Sequence, residues 1–132
     1  MGKDKRNEPT LAIFMRTDLN MSRGKIAVQA GHAVAMVVYT QSKWEINRAP
    51  EYKVSSVKDW MENDQVKIVL AVNSMEDLDE IAQIAERNLV PYLHVFDIGR
   101  TEIEPNTITC LAVGIESRRR IGKITAGWKT LK

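Results

Sequence analysis

The chain has 132 residues, 44% hydrophobic and 27% charged, with a net charge of +2 at pH 7. That length suits one domain with a sizeable core and the composition excludes a disordered chain. No apolar run reaches the ~18 residues of a membrane-spanning helix, and the single cysteine, Cys110, excludes an internal disulfide or a four-cysteine zinc site.

Met1 to Thr10 is charged and lacks the apolar core of a secretory signal, so a cytoplasmic protein is expected. Residues 1–9 read as a flexible tail ended by Pro9. Thr10 to Arg16 is an apolar run of strand length. Thr17 to Gly24 is rich in turn formers. Lys25 to Gln41 has helical spacing, with Ile26, Ala30, Ala33, Val34 and Val37 on one stripe. Within 42–64, Val54, Val57, Lys58 and Met61 hint at a second helix after Pro50.

Val66 to Val72 is a strand dense in β-branched residues and apolar on both faces, the pattern of a strand covered on both sides inside a sheet. Ser74 and Asp77 match a capping box. Leu78, Ile81, Ala82 and Ala85 then form the apolar face of a helix. Pro91 to Phe96 is a strand, 97–106 a long turn, and Thr107 to Val113 a fourth strand. A last helix is expected over Arg118 to Gly127. Such alternation predicts an α/β sheet with helices on both faces. The short link between the last two strands allows that pair to be antiparallel. The charge is uneven along this plan. Residues 116–132 carry six cations against one acid, a net of +5, which leaves −3 on residues 1–115. A basic helix end is ordinary, and it is also what a phosphate-facing patch needs.

Several side chains could carry chemistry. Lys25, Gln29 and His32 fall at i, i+4 and i+7, one polar stripe on the first helix. Such a stripe is also what any exposed helix face has. Asp97 ends a strand and is followed by Gly99, Arg100 and Thr101, at the strand ends where α/β sheets bind ligands. A carboxylate there can activate a water, and Arg100 can hold a phosphate. The same residues suit plain turn chemistry. Thr107 and Thr109 share one face of their strand. Cys110 and His94 read as structural. No HExxH, GxxxxGK[ST], GxGxxG or GxSxG occurs, which argues against zinc proteases, P-loop and dinucleotide enzymes and α/β-hydrolases.

Together these segments resemble the type 2 peptidyl-tRNA hydrolase family. Arg16-Thr17-Asp18-Leu19-Asn20-Met21, running into Gly24-Lys25-Ile26-Ala27-Val28-Gln29-Ala30-Gly31-His32-Ala33, is similar to the family's RTDLxMxxGKxAAQxxHA signature. Asp97 to Pro105 is similar to DAGRTxIxPG, and Thr109 to Gly114 to TVLGIGP. The chain departs at Ser22-Arg23, where the family often has Gly-Lys, and at Asn106, where a glycine usually follows the proline. It departs again at Ile115 to Arg120, where a Gly-Pro-rich stretch is usual.

The resemblance implies hydrolysis of the ester between a peptide and tRNA, with no cofactor and no metal. It implies one α/β domain over 10–132, a single-domain three-layer α/β/α sandwich with a four-stranded mixed sheet, peptidyl-tRNA as partner, no membrane and often a homodimer. Its functional positions fall on Lys25, Gln29, Asp97, Thr101 and Thr109, with His32 at its histidine position. Asp97 is the candidate to activate water. Lys25 with Thr109, or a backbone N–H, would stabilise the oxyanion, and His32 or Lys25 would protonate the leaving ribose oxygen. Arg100, Arg118, Arg119 and Arg120 are candidate phosphate contacts. Absence of a serine or cysteine nucleophile motif favours direct attack by water. Two other readings stay open: a tRNA- or RNA-binding module without turnover, and a hydrolase of a related ester or amide.

Overall fold

Among the described residues, apolar runs and helical spacing place four strands and four helices: β1 (Pro9–Arg16), α1 (Arg23–Ile46), α2 (Val57–Glu62), β2 (Val66–Val72), α3 (Met75–Arg87), β3 (Tyr92–Phe96), β4 (Ile108–Ser117) and α4 (Arg118–Thr125). A 3-10 turn at Lys5–Asn7 precedes them. This computed structural model describes residues 5–46, 57–97 and 103–132. The expected start of the second helix at Val54 lies outside them.

The sheet order is β2-β1-β4-β3. β1 runs parallel to β2 and antiparallel to β4, and β3 runs antiparallel to β4. It is therefore the expected mixed sheet, with helices on both faces. Alternation along β1 and β4 divides the core. Ala12, Phe14, Leu111 and Val113 face Leu78, Ile81 and Ala85 of α3 and Ile121 and Ile124 of α4. Leu11, Ile13, Met15, Cys110 and Ala112 face Ala33 and Val37 of α1 and Val57 and Trp60 of α2. Phe14 is fully buried and meets Trp128 edge-on at 6.3 Å. Burying a side chain of this size contributes about 1.5–3 kcal/mol.

The α3 cap forms as expected: Ser74 Oγ accepts the Asp77 N–H at 3.0 Å, and the Asp77 carboxylate accepts from the Asn73 N–H at 3.1 Å. Two expectations are corrected. β2 is an edge strand, not an interior one, and Lys67 and Ile68 are exposed. Its apolar second half is nonetheless covered, because the chain end lies along its outer edge. The Ala71 N–H donates to the Lys129 carbonyl and the Leu131 N–H to the Val69 carbonyl, each at 2.9 Å. The covering segment is more than 50 residues away in sequence, so a local pattern could not separate a covered edge from an interior strand.

β4 also continues past Val113 to Ser117. Its pairing with β1 skips one residue, from Leu11–Gly114 to Thr10–Glu116. The bulged residue, Ile115, is fully buried. Its backbone would lack partners there. Gln41 of α1 supplies them: its amide accepts the Ile115 N–H at 2.8 Å and donates to the Ile115 carbonyl at 3.0 Å.

Candidate active site

The buried row of α1 is Lys25, Gln29, Ala33, Val37 and Gln41. These residues are spaced by four, a row inclined to the helix axis. The expected apolar stripe is only part of this face. Ala33 and Val37 are buried, whereas Ile26, Ala30 and Val34 flank the row half-buried. Lys25 and Gln29 thus point inward, and the reading of a plain exposed polar stripe fails for both. Ser22 starts the helix: its Oγ accepts the Lys25 N–H at 3.1 Å and its carbonyl accepts the Ile26 N–H at 2.9 Å. By composition Ser22 belongs to the loop, although a serine ahead of a helical stripe is itself a start signal.

Asp97 directly follows β3, and Thr109 is the second residue of β4. The two strand ends lie side by side, with Phe96 paired to Ile108. The Asp97 N–H donates to the Thr107 carbonyl at 2.9 Å, and the Asn106 N–H donates to the Asp97 carbonyl at 2.7 Å. Asn106 has φ 64°, a left-handed conformation that asparagine tolerates.

Four side chains from these elements form one network. Lys25 Nζ lies 2.7 Å from Asp97 Oδ1. Gln29 Nε2 donates to the same oxygen at 2.9 Å. Thr109 Oγ1 donates to Gln29 Oε1 at 2.7 Å. Asp97 is 2% exposed, Lys25 9%, and Gln29 and Thr109 not at all. The proton directions follow from chemistry. A carboxylate only accepts, so the Gln29 NH2 faces Asp97 and its carbonyl faces Thr109. Thr109 must then donate. The Val95 carbonyl, at 3.4 Å, is the longer alternative and loses to the 2.7 Å bond.

A buried charged pair is costly to desolvate, and its attraction offsets that only when further hydrogen bonds complete it. Gln29 provides such a bond here. Cys110, next to Thr109, is buried, and burial pushes its thiol up to about 12. It packs in the core, as the sequence suggested, and has no access to a substrate.

The structure brings together Lys25, Gln29, Asp97 and Thr109. The other described candidates, His32, Arg118, Arg119 and Arg120, do not join them. His32 is exposed and outside the network. Arg100 and Thr101 lie outside the described residues. Arg118, Arg119 and Arg120 begin α4 at the far end of β4, roughly 27–30 Å along the strand from Thr109 at ~3.4 Å per residue. Arg118 and Arg119 are exposed. Arg120 is engaged in the fold: its guanidinium donates to the buried Glu116 carboxylate at 2.8 Å and to the Leu89 carbonyl at 3.3 Å. Among the described residues, no cluster of three His, Cys, Asp or Glu side chains could hold a metal. No helix among them is long and apolar enough to cross a membrane.

Comparison with known proteins adds a second line of evidence. A family profile described as "Peptidyl-tRNA hydrolase PTH2" matches residues 10–131. The chain is 38% identical to a peptidyl-tRNA hydrolase of Haloquadratum walsbyi, over 86% of this chain and 92% of that protein. It is 37% identical to one from Methanopyrus kandleri, over 91% of this chain and 96% of that one. With one from Saccharolobus solfataricus the identity is 33%, over 92% and 98%. A solved structure of a protein of unknown function from Agrobacterium tumefaciens superimposes with a TM-score of 0.58 at 16% identity. It covers 95% of this chain and 98% of that one, and at that identity it supports the fold alone.

Proposed function

Because this chain belongs to the peptidyl-tRNA hydrolase PTH2 family, we propose that the Lys25–Asp97 pair is where it cleaves the ester between peptide and tRNA. The enzyme is an ester hydrolase whose substrate is peptidyl-tRNA. The observation that carries the assignment of residues is the buried ammonium–carboxylate contact of 2.7 Å at adjoining strand ends.

The charges suit the reaction. Asp97 orients a water and takes its proton as the water oxygen attacks the ester carbonyl. Asp97 then becomes neutral, and negative charge appears on the carbonyl oxygen. Lys25 exchanges one anion for the other, so the net charge of the site is constant through the step. A preplaced cation in a water-poor site stabilises such an oxyanion strongly. Collapse of the tetrahedral species breaks the carbon–oxygen bond to the ribose. The proton held by Asp97 passes to the leaving 3′ oxygen. Gln29, held by Thr109, keeps the carboxylate aimed throughout.

The proposal gives the remaining candidates subsidiary roles. Arg100 and Thr101 would meet the RNA side of the substrate, and the exposed His32, one turn from both Val28 and Met36, would lie on the face used for self-association. Arg118 and Arg119 would meet phosphates further along it. Self-association would use the outer face of α1, where Val28, Met36 and Tyr39 are 50%, 46% and 60% exposed. The place of action would be the cytoplasm, where translation supplies the substrate. The test is release of peptide from labelled peptidyl-tRNA by wild type and Lys25→Ala. Wild-type turnover that largely disappears in Lys25→Ala supports the assignment. Equal rates move the chemistry to other residues.

A further inference from the structure

Arg16 and Asp18 belong to the loop-leading motif Arg16-Thr17-Asp18, and neither has a part in the chemistry above. Arg16 ends β1. Alternation turns its side chain to the α3 and α4 face, with Ala12 and Phe14, whereas the β3–β4 pairing skips Thr109, from Val95–Cys110 to Phe96–Ile108, and its hydroxyl meets Gln29 of α1, so Arg16 does not join the Lys25 network. The ladder between β1 and β4 stops at Met15–Cys110, one pair short of Arg16. The Arg16 side chain continues the connection where the ladder stops. Its Nη1 donates to the Ile108 carbonyl at 3.0 Å. Its Nε and Nη2 donate to the two oxygens of Asp18, at 3.0 and 2.7 Å. This is the two-pronged geometry only a guanidinium provides. Arg16 is 13% exposed and Asp18 34%. The hydrogen bond holds the Asp18 carboxyl below its usual range and raises the Arg16 guanidinium further.

The two ends of this link matter. Ile108 lies between Thr107, whose carbonyl holds the Asp97 N–H, and Thr109, whose hydroxyl holds Gln29. Asp18 lies in the turn that ends at Ser22, which starts α1 and caps the Lys25 N–H. One half of the site thus hangs on residues 107–109 and the other on the turn containing Asp18. Arg16 ties the two.

We propose that Arg16 and Asp18 are positioning residues that set Lys25 against Asp97 and Thr109. The inference rests on the assignment of the site made above. Misplacing a reacting group by ~1 Å costs up to ~10²-fold in rate. The link therefore acts on kcat and leaves substrate binding alone.

The test is steady-state hydrolysis of labelled peptidyl-tRNA by the full chain as wild type, Arg16→Lys, Asp18→Asn, Lys25→Ala and Arg16→Lys/Lys25→Ala. Melting curves establish that each is folded at the assay temperature. Arg16→Lys keeps the charge and loses the fork, and the partly exposed Asp18→Asn serves if Arg16→Lys fails to fold. The expected result is a kcat fall of roughly ten- to a hundredfold with KM unchanged. In the Lys25→Ala background the same change should have almost no further effect, because what it positions is gone. A raised KM with kcat intact would make Arg16 a substrate contact and overturn the proposal. Full additivity with Lys25→Ala, or wild-type kinetics in a folded Arg16→Lys, would also overturn it. Lys25→Ala with wild-type activity would instead overturn the site assignment, so the two failures are distinguishable.

Discussion

Thr109 gives its hydroxyl proton to Gln29 across 2.7 Å, linking residues 80 positions apart in the chain. That bond fixes which way the Gln29 amide faces, and so presents an N–H to Asp97. In the proposed mechanism Thr109 acts on the carboxylate at one remove rather than on the oxyanion, since its proton is already used and its side chain is fully buried. Thr109→Val should lower kcat by roughly tenfold, less than loss of Asp97 itself, and Thr109→Ser should restore most of it. Steady-state kinetics of both variants check this. Equal loss in Thr109→Val and Thr109→Ser would count against a hydrogen-bond role.

Lys25 and Asp97 should be costly to separate. Removing one member of a buried pair leaves the other uncompensated, at about 3–5 kcal/mol. Lys25→Met should therefore lower the urea midpoint clearly. Lys25→Met with Asp97→Asn should recover much of that stability and none of the activity. Recovery of both together would show that the pair serves the fold alone.

The bulge in β4 carries a separate cost. A Cβ on Gly114 would sit 2.6 Å from the Thr10 carbonyl oxygen, at φ +117°, where side chains rarely fit. Gly114→Ala should destabilise by about 2–4 kcal/mol. Gln41→Ala, which strips both partners from the buried Ile115 backbone, should cost a similar amount, about 2–4 kcal/mol. Chemical denaturation reads both, and a change under ~0.5 kcal/mol in either would refute its account.

Cys110 should be inert in the folded protein. With its thiol pushed up to about 12 by burial, roughly one molecule in ten thousand carries the thiolate at pH 8. Alkylating reagents should leave activity unchanged and label Cys110 only after unfolding. Rapid labelling of the native protein at pH 8 would contradict the buried placement.

Much of this fold was legible locally. Apolar runs of strand length marked the strands and Ser74 with Asp77 marked the start of α3, because their causes lie within a few residues. The edge position of β2 was not, since what covers it is the distant segment around Lys129 and Leu131. Lys25 and Gln29 were visible as a stripe with the wrong orientation. Their burial depends on Asp97, 72 residues beyond Lys25, and no helical period reports that. Gln41 carries no local signal of its role, because its partner, Ile115, is a backbone position left open by a bulge. Arg118, Arg119 and Arg120 read as one patch, yet Glu116 removes Arg120 from it.

The proposed phosphate contacts can be isolated accordingly. Arg118→Gln with Arg119→Gln, leaving Arg120 in place, should weaken tRNA binding. It should flatten the salt dependence by about one to two units of slope. Binding measured between low and moderate salt checks this, and an unchanged slope would remove both arginines from the interface.

The most direct test of the whole account is hydrolysis of a labelled peptidyl-tRNA by wild type and Asp97→Asn side by side. The account predicts that wild type releases the peptide and that folded Asp97→Asn is slower by about 10²–10⁴-fold. An intact ester with wild type would contradict it. So would Asp97→Asn within about threefold of wild type, a barrier change under ~1 kcal/mol.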